Sequence, residues 1–113
     1  AERNGVTFVV FRADITRNRV DVHYLIENET ESPIPMTLSN ADQLVADNDY
    51  NYYPPLDPQG VRSIVLQPGT NFEGATSFVG SAYYNRAEFL TYGINNIPGL
   101  GNVRVRIPGP YTH

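Results

Sequence analysis

The chain has 113 residues, 41% of them hydrophobic, and a formal charge of −4, enough for a single domain spanning residues 1–113 that buries about two-thirds of its unfolded surface. Its eight basic residues are all arginine, and the pairs Arg17/Arg19 and Arg104/Arg106 are too small to form the basic stripe a nucleic-acid partner requires. Cysteine is absent, excluding disulfides, thiol catalysis and Cys-based zinc sites, and no run approaches the ~20 apolar residues of a membrane helix, so no membrane insertion is expected. The chain begins at Ala1, as either removal of a leader at a small-residue site or trimming would leave it.

Alternation of period two dominates from the start. Val6, Phe8 and Val10 share one face of a first strand, while Val9 and Phe11 make the other face apolar as well. Such a strand needs cover on both sides. After a turn at Arg17-Asn18-Arg19, Val20, Val22, Tyr24 and Ile26 share a face opposite Asp21, His23 and Glu27, the pattern of a half-buried antiparallel strand. The loop from Asn28 to Ser32 leads to Ile34, Met36 and Leu38, where Pro33 and Pro35 confine the strand to a sheet edge or a bulge.

A short strand around Leu44-Val45 ends in the polar turn Asp47-Asn48-Asp49, Tyr50 to Tyr53 returns, and Pro54 to Gly60 forms an irregular loop. Ile64 to Leu66 runs into Gln67-Pro68-Gly69, whose Pro-Gly order predicts a type II turn. Phe72, Gly74, Thr76 and Phe78 make the next face, residues 79–87 a loop or short helical turn, and Phe89 to Tyr92 another strand. A Gly/Asn/Pro-rich loop is predicted over 93–102, then a last strand at Val103, Val105 and Ile107. Apolar residues nowhere recur at helical spacing. The pattern predicts an all-β fold, an antiparallel β-sandwich of seven to nine strands.

The segment "VDVHYLIENETESPI" (20–34) resembles the second strand of an uncharacterised telokin-like immunoglobulin-fold domain family of prokaryotic secreted proteins and lipoproteins. "LVADNDYNYY" (44–53), "VLQPGTNFEGATSF" (65–78) and "FLTY" (89–92) are similar to its later hairpin, its Leu-x-Pro-Gly signature and the strand that follows, so the likeness runs over about residues 6–93. It departs at Asn48-Asp49, where the family usually has Gly, and at the Pro33/Pro35 pair. The resemblance implies an immunoglobulin-like sandwich, extracellular or on the cell surface, without catalysis and without an active site to carry over.

The residues themselves point the same way on chemistry. With only His23 and His113 as histidines and no nucleophile or phosphate-loop motif, no enzyme and no cofactor are expected. Asp47, Asp49 and Asn51 match the first ligand positions of a calcium loop, but Tyr52 replaces its sharp-turn Gly and Pro58 its bidentate Glu, so a plain polar turn is the better reading and no metal is expected. Asn28-Glu29-Thr30 is an N-glycosylation sequon, although Asn28 capping the end of its strand is favoured over a glycan.

Counting strands alternately up and down brings the loops at 16–19, 54–60 and 79–87 to one end, where Tyr52 and Tyr53 meet Tyr83, Tyr84 and Asn85. Tyrosine and asparagine suit recognition of a protein or glycan, unless the rings cap the core's edge. Two functions follow. The first is a structural domain that assembles with copies of itself, in a filament or layer, through the two-faced strand Val6, Phe8, Val9, Val10 and Phe11 or its counterpart Val103 to Ile107. The first is favoured; the alternative is a binding or adhesion module that recognises a protein or glycan through the Tyr/Asn loops. For the apolar faces the alternative is cover from the same chain, by Ile94, Ile97 and Leu100 of the 93–102 loop.

Overall fold

A computed structural model describes residues 1–111; His113 lies outside the described residues. The strands run in chain order as β1 (Glu2–Arg3), β2 (Val6–Ile15), β3 (Arg19–Asn28), β4 (Ile34–Ser39), β5 (Gln43–Asp47), β6 (Tyr52–Tyr53), β7 (Val61–Leu66), β8 (Asn71–Val79), β9 (Phe89–Ile97) and β10 (Gly101–Pro108). Eight of them have five residues or more, within the expected seven to nine. The two-residue strands β1 and β6 lie beyond that expectation. One 3-10 turn, Asn40–Asp42, separates β4 from β5.

All pairings are antiparallel and form three sheets, ordered β1-β2-β3-β8, β10-β9-β5-β6 and β4-β7. The first two face each other across the core as an all-β sandwich, and the β4-β7 ribbon closes one side with Met36, Leu38 and Leu66. At the centre, the Phe8 ring stacks on Tyr24 at 5.2 Å and on Tyr92 at 6.2 Å, and Phe78 meets Tyr92 edge-on at 6.0 Å. Phe8, Tyr24 and Phe78 come from the first sheet and Tyr92 from the second, so these contacts tie the two layers together. The inward faces of β3 and β8 are those the alternation predicted: Val20 pairs with Phe78, Val22 with Thr76, Tyr24 with Gly74 and Ile26 with Phe72. Gly69 takes φ 72° and the Thr70 N–H donates to the Gln67 carbonyl at 3.2 Å, which makes 67–70 the expected type II turn.

Strand β4 pairs only with β7 and therefore sits at an edge, as its two prolines require. The first strand is more complex. Val6 and Phe8 are buried, Val10 half-buried, and Val9 and Phe11 exposed. A bulge between Val10 and Arg12 then reverses the parity, so that Ala13 and Ile15 turn toward the core.

The chain covers its own inward face. Ile94, Ile97 and Leu100 are buried, the turn at Gly99 closes over Val6, and the Asn4 side-chain amide donates to the Gly99 carbonyl at 2.9 Å. Val103 and Ile107 are buried in the same core. Val6, Phe8, Val103 and Ile107 are thus covered within the chain, while Val9 and Phe11, on the other face of the first strand, stay exposed. The predicted 93–102 loop is corrected, because β9 continues to Ile97 and pairs Gly93 with Arg104. Gly93 had the look of a strand terminator; it is instead where the Arg104 guanidinium lies on the backbone, 2.6 Å from where a Cβ would stand.

Candidate functional site

One end of the sandwich gathers the loops that the strand count placed together. The Val79 N–H donates to the Pro54 carbonyl at 2.8 Å, the Gly80 N–H to Asn18 at 3.1 Å, and the Asn85 amide to the Tyr53 hydroxyl at 3.1 Å. Two further bonds extend the surface: the Glu88 N–H donates to Asn48 Oδ1 at 2.8 Å, and the Tyr111 N–H to the Ala87 carbonyl at 3.0 Å. The five exposed tyrosines, Tyr50, Tyr52, Tyr83, Tyr84 and Tyr111, all lie on these linked segments, with Tyr84 86% and Tyr50 91% exposed.

Asp47 organises the end. Its Oδ1 accepts the N–H groups of Asp49 and Asn51 at 2.9 Å each, and its Oδ2 accepts the Asn51 amide at 2.9 Å and the Tyr53 hydroxyl at 3.1 Å. Burial raises the Asp47 pKa, but the bonds from Asn51, Asp49 and Tyr53 outweigh it and hold the carboxyl below its ordinary value. With both oxygens engaged inside their own hairpin, Asp47 acts as a structural hub. Among the described residues, no group of three or more His, Asp or Glu side chains could hold a metal ion. Tyr50, in this turn, adopts φ 64°, a left-handed conformation uncommon for a bulky side chain.

The predicted site residues separate into two kinds. Tyr52, Tyr83 and Tyr84 are exposed and Asn85 half-buried, whereas Tyr53 is 1% exposed and belongs to the core's edge, so it supports the surface without offering a contact. Burial, followed by the adjacent Asp47, pushes the Tyr53 hydroxyl up from its ordinary pKa, while the Asn85 bond opposes the shift. Tyr50 and Tyr111 were missed. Tyr50 sits in a segment read only as a returning strand, and nothing in the local sequence indicates that Tyr111 docks beside Ala87.

Asn28 is 1% exposed, and its Nδ2 donates to the Ser32 carbonyl at 2.9 Å and the Leu66 carbonyl at 2.8 Å. Its Oδ1 accepts from the Thr30 N–H at 2.9 Å and the Thr30 hydroxyl at 2.6 Å. The side chain is the cap that the sequence favoured, and the nitrogen a glycan would need is enclosed by these bonds. His23 lies half-buried on the outer face of the first sheet, with Nε2 3.3 Å from Asp14 Oδ2 and its ring beside Phe11.

Beside the tyrosine end, the outer face of the second sheet forms a groove of about 330 Å³ lined by Leu44, Ala46, Asn48, Tyr50, Phe89 and Arg106, among others. Register explains it. Ala46 pairs with Tyr52 on one side and Thr91 on the other, and Thr91 pairs with Arg106, so Tyr52, Ala46, Thr91 and Arg106 form one row across all four strands. Arg106 stacks on Phe89 with 3.9 Å from Cζ to the ring centroid. The spacing of Arg104 and Arg106 on a period-two strand was the signal that could have placed both arginines on this face. Among the described residues, no helix is long and apolar enough to cross a membrane.

The fold and this end define an all-β sandwich domain with a tyrosine-rich loop surface. No family model matches the chain, and no curated protein matches it. Among solved structures it is similar to the yjhA protein from Bacillus subtilis, with a TM-score of 0.61 at 15% identity over 96% of this chain and 93% of that one. It is also similar to part of the β-glucosidase from Kluyveromyces marxianus, with a TM-score of 0.50 at 8% identity over 90% of this chain. The matched part is 14% of the β-glucosidase chain. Both likenesses concern the fold alone.

Proposed function

We propose that this chain is a non-enzymatic recognition module, working outside the cell or on its surface, that presents its tyrosine-rich end to a protein or glycan. The observation that carries the reading is the collection of all five exposed tyrosines on hydrogen-bonded loops at one end, while Tyr24, Tyr53 and Tyr92 are buried. Exposed tyrosine rings offer large, rigid contact area with a polar tip at low entropic cost. The Asp47 hub holds the loops in place before any ligand arrives, which lowers the cost of ordering them on binding. The resemblance of the strands to the telokin-like family of secreted proteins supports the extracellular setting.

The test is binding of the purified domain to arrays of extracellular glycans and surface proteins, with a Tyr83→Ala/Tyr84→Ala variant in parallel. Specific binding that the double variant loses while keeping its thermal stability supports the module. Binding that is indifferent to every exposed tyrosine sinks it.

A specific observation favours assembly as a second reading. Strand β1 pairs only with Val6 and Thr7, and Ala1 bonds to Phe8, so the outer edge of β2 beyond Phe8 has no strand partner among the described residues. Phe11, 53% exposed, stands on that open stretch. An open edge with an exposed aromatic is suited to pairing with a second copy of the chain.

A further inference from the structure

We propose that the groove on the outer face of the second sheet binds a carboxylate-bearing sugar, a short uronic-acid oligosaccharide, with Arg106 receiving the carboxylate and Tyr50 the pyranose ring. The inference rests on reading this end as a recognition surface and names the ligand class of one subsite. Four observations carry it.

The charge is segregated. Arg104 and Arg106 are the only charged side chains that β5, β6, β9 and β10 turn outward. The opposite face, built by β2, β3 and β8, turns out Asp14, Asp21, Glu27 and Glu73 against Arg12 and Arg19. A chain of net charge −4 therefore offers an anion one favourable face.

The lining offers donors. Arg106 makes no hydrogen bond or ion pair among the described residues, and its Cζ lies 3.9 Å from the Phe89 ring centroid, a cation–π contact that leaves its N–H groups for a ligand. Asn48 uses Oδ1 to accept the Glu88 N–H, which leaves its amide N–H groups for a ligand. Asp47 lines the groove too, but its oxygens are engaged within the hairpin. A ligand here must bring acceptors, and a carboxylate matches the guanidinium fork in two-bond geometry.

The walls suit a sugar ring. Leu44, Ala46 and Phe89 give an apolar floor, and Tyr50 stands 91% exposed in a strained left-handed conformation that the Asp47 turn imposes. Strain of this kind in a bulky residue, held by a dedicated hydrogen-bond hub, is a mark of functional sites. An exposed ring beside a few polar groups is a surface for the C–H face of a pyranose.

The groove lies on a sheet face. Its floor comes from the faces of β5 and β9; β9 is paired along both sides, and β5 pairs β9 along its length and β6 at Val45 and Ala46. A ligand lying on this floor is met by side chains.

The experiment titrates trigalacturonic acid into the labelled domain, following amide shifts and tyrosine fluorescence, which no tryptophan obscures. The fully methyl-esterified trimer and a short peptide with a free C-terminal carboxylate are run beside it. The acid is expected to shift amides around Tyr50, Thr91 and Arg106, the ester to bind about tenfold more weakly or worse, and Arg106→Gln to lose the same factor. Arg106→Lys should recover part of the affinity, and Glu73→Gln, on the outer face of the opposite sheet, should leave it unchanged. No binding of the acid, equal binding of the ester or the peptide, or full affinity in Arg106→Gln would overturn the proposal. Binding that depends on Tyr84 and ignores Arg106 would overturn the groove while leaving the tyrosine end as a recognition surface.

Discussion

The side-chain amide of Asn85 donates to the hydroxyl of Tyr53 across 3.1 Å, joining residues 32 positions apart in sequence. That hydroxyl in turn donates to Asp47 Oδ2, so the 81–87 loop, β6 and the 47–51 turn share one relay, buried at its Tyr53–Asp47 bond. Tyr53→Phe keeps the packing and removes the relay. It should cost about 1–2 kcal/mol in urea denaturation and speed hydrogen exchange at Tyr84 and Asn85. Unchanged exchange would mean that the loop is held by its own turns alone.

Asp47 makes the end sensitive to acid. Its folded-state pKa is depressed, so its stabilising contribution is fully present above the unfolded value of about 3.9 and is lost as pH falls through the folded one. Asp47→Asn should flatten the acid limb of a stability-against-pH curve. Asp47→Ala, which orphans the Asn51 amide and two backbone N–H groups, should lower stability at neutral pH by about 2–4 kcal/mol. An acid limb identical to the wild type in Asp47→Asn would count against the hub.

At high pH the sign reverses. Burial raises the hydroxyl pKa values of Tyr24, Tyr53 and Tyr92, so each contributes stability below the unfolded value of about 10 that is lost as pH rises beyond it. Absorbance at 295 nm should show ionisation of these three only together with loss of near-ultraviolet circular dichroism. Ionisation of all eight tyrosines in a folded protein would contradict their burial.

Expression in a eukaryotic secretory pathway should yield an intact mass with no glycan at Asn28, provided that folding precedes modification, because Nδ2 is bonded to Ser32 and Leu66. Asn28→Ala should lower stability by about 2–4 kcal/mol, since it leaves buried backbone groups unpaired. A glycosylated, folded product would show that the cap opens.

Sedimentation equilibrium separates the two functional readings. A recognition module is expected to stay monomeric at millimolar concentration, despite the free edge of β2. Concentration-dependent association that Phe11→Lys abolishes would transfer the weight to assembly, since a charge on an exposed strand edge blocks pairing.

The sequence by itself determined the all-β class, the inward faces of β3 and β8, the type II turn at 67–70 and the edge position of β4. Each rests on local rules: a side-chain period of two, the φ of glycine and the missing N–H of proline. It also anticipated which loops share an end, because strand direction alternates. Only the tertiary structure decided which side of that surface each residue occupies. Tyr52 and Tyr53 are neighbours of identical type, yet one is exposed and the other buried, since a strand turns successive side chains to opposite faces. The bulge at Val10/Arg12 reversed an alternation that the letters alone continue, and Gly93, a terminator by composition, proved to be a seat for Arg104. Long-range contact made these choices: the cover over Val6 comes from Gly99, far along the chain, and no local pattern encodes which distant segment closes over a given face.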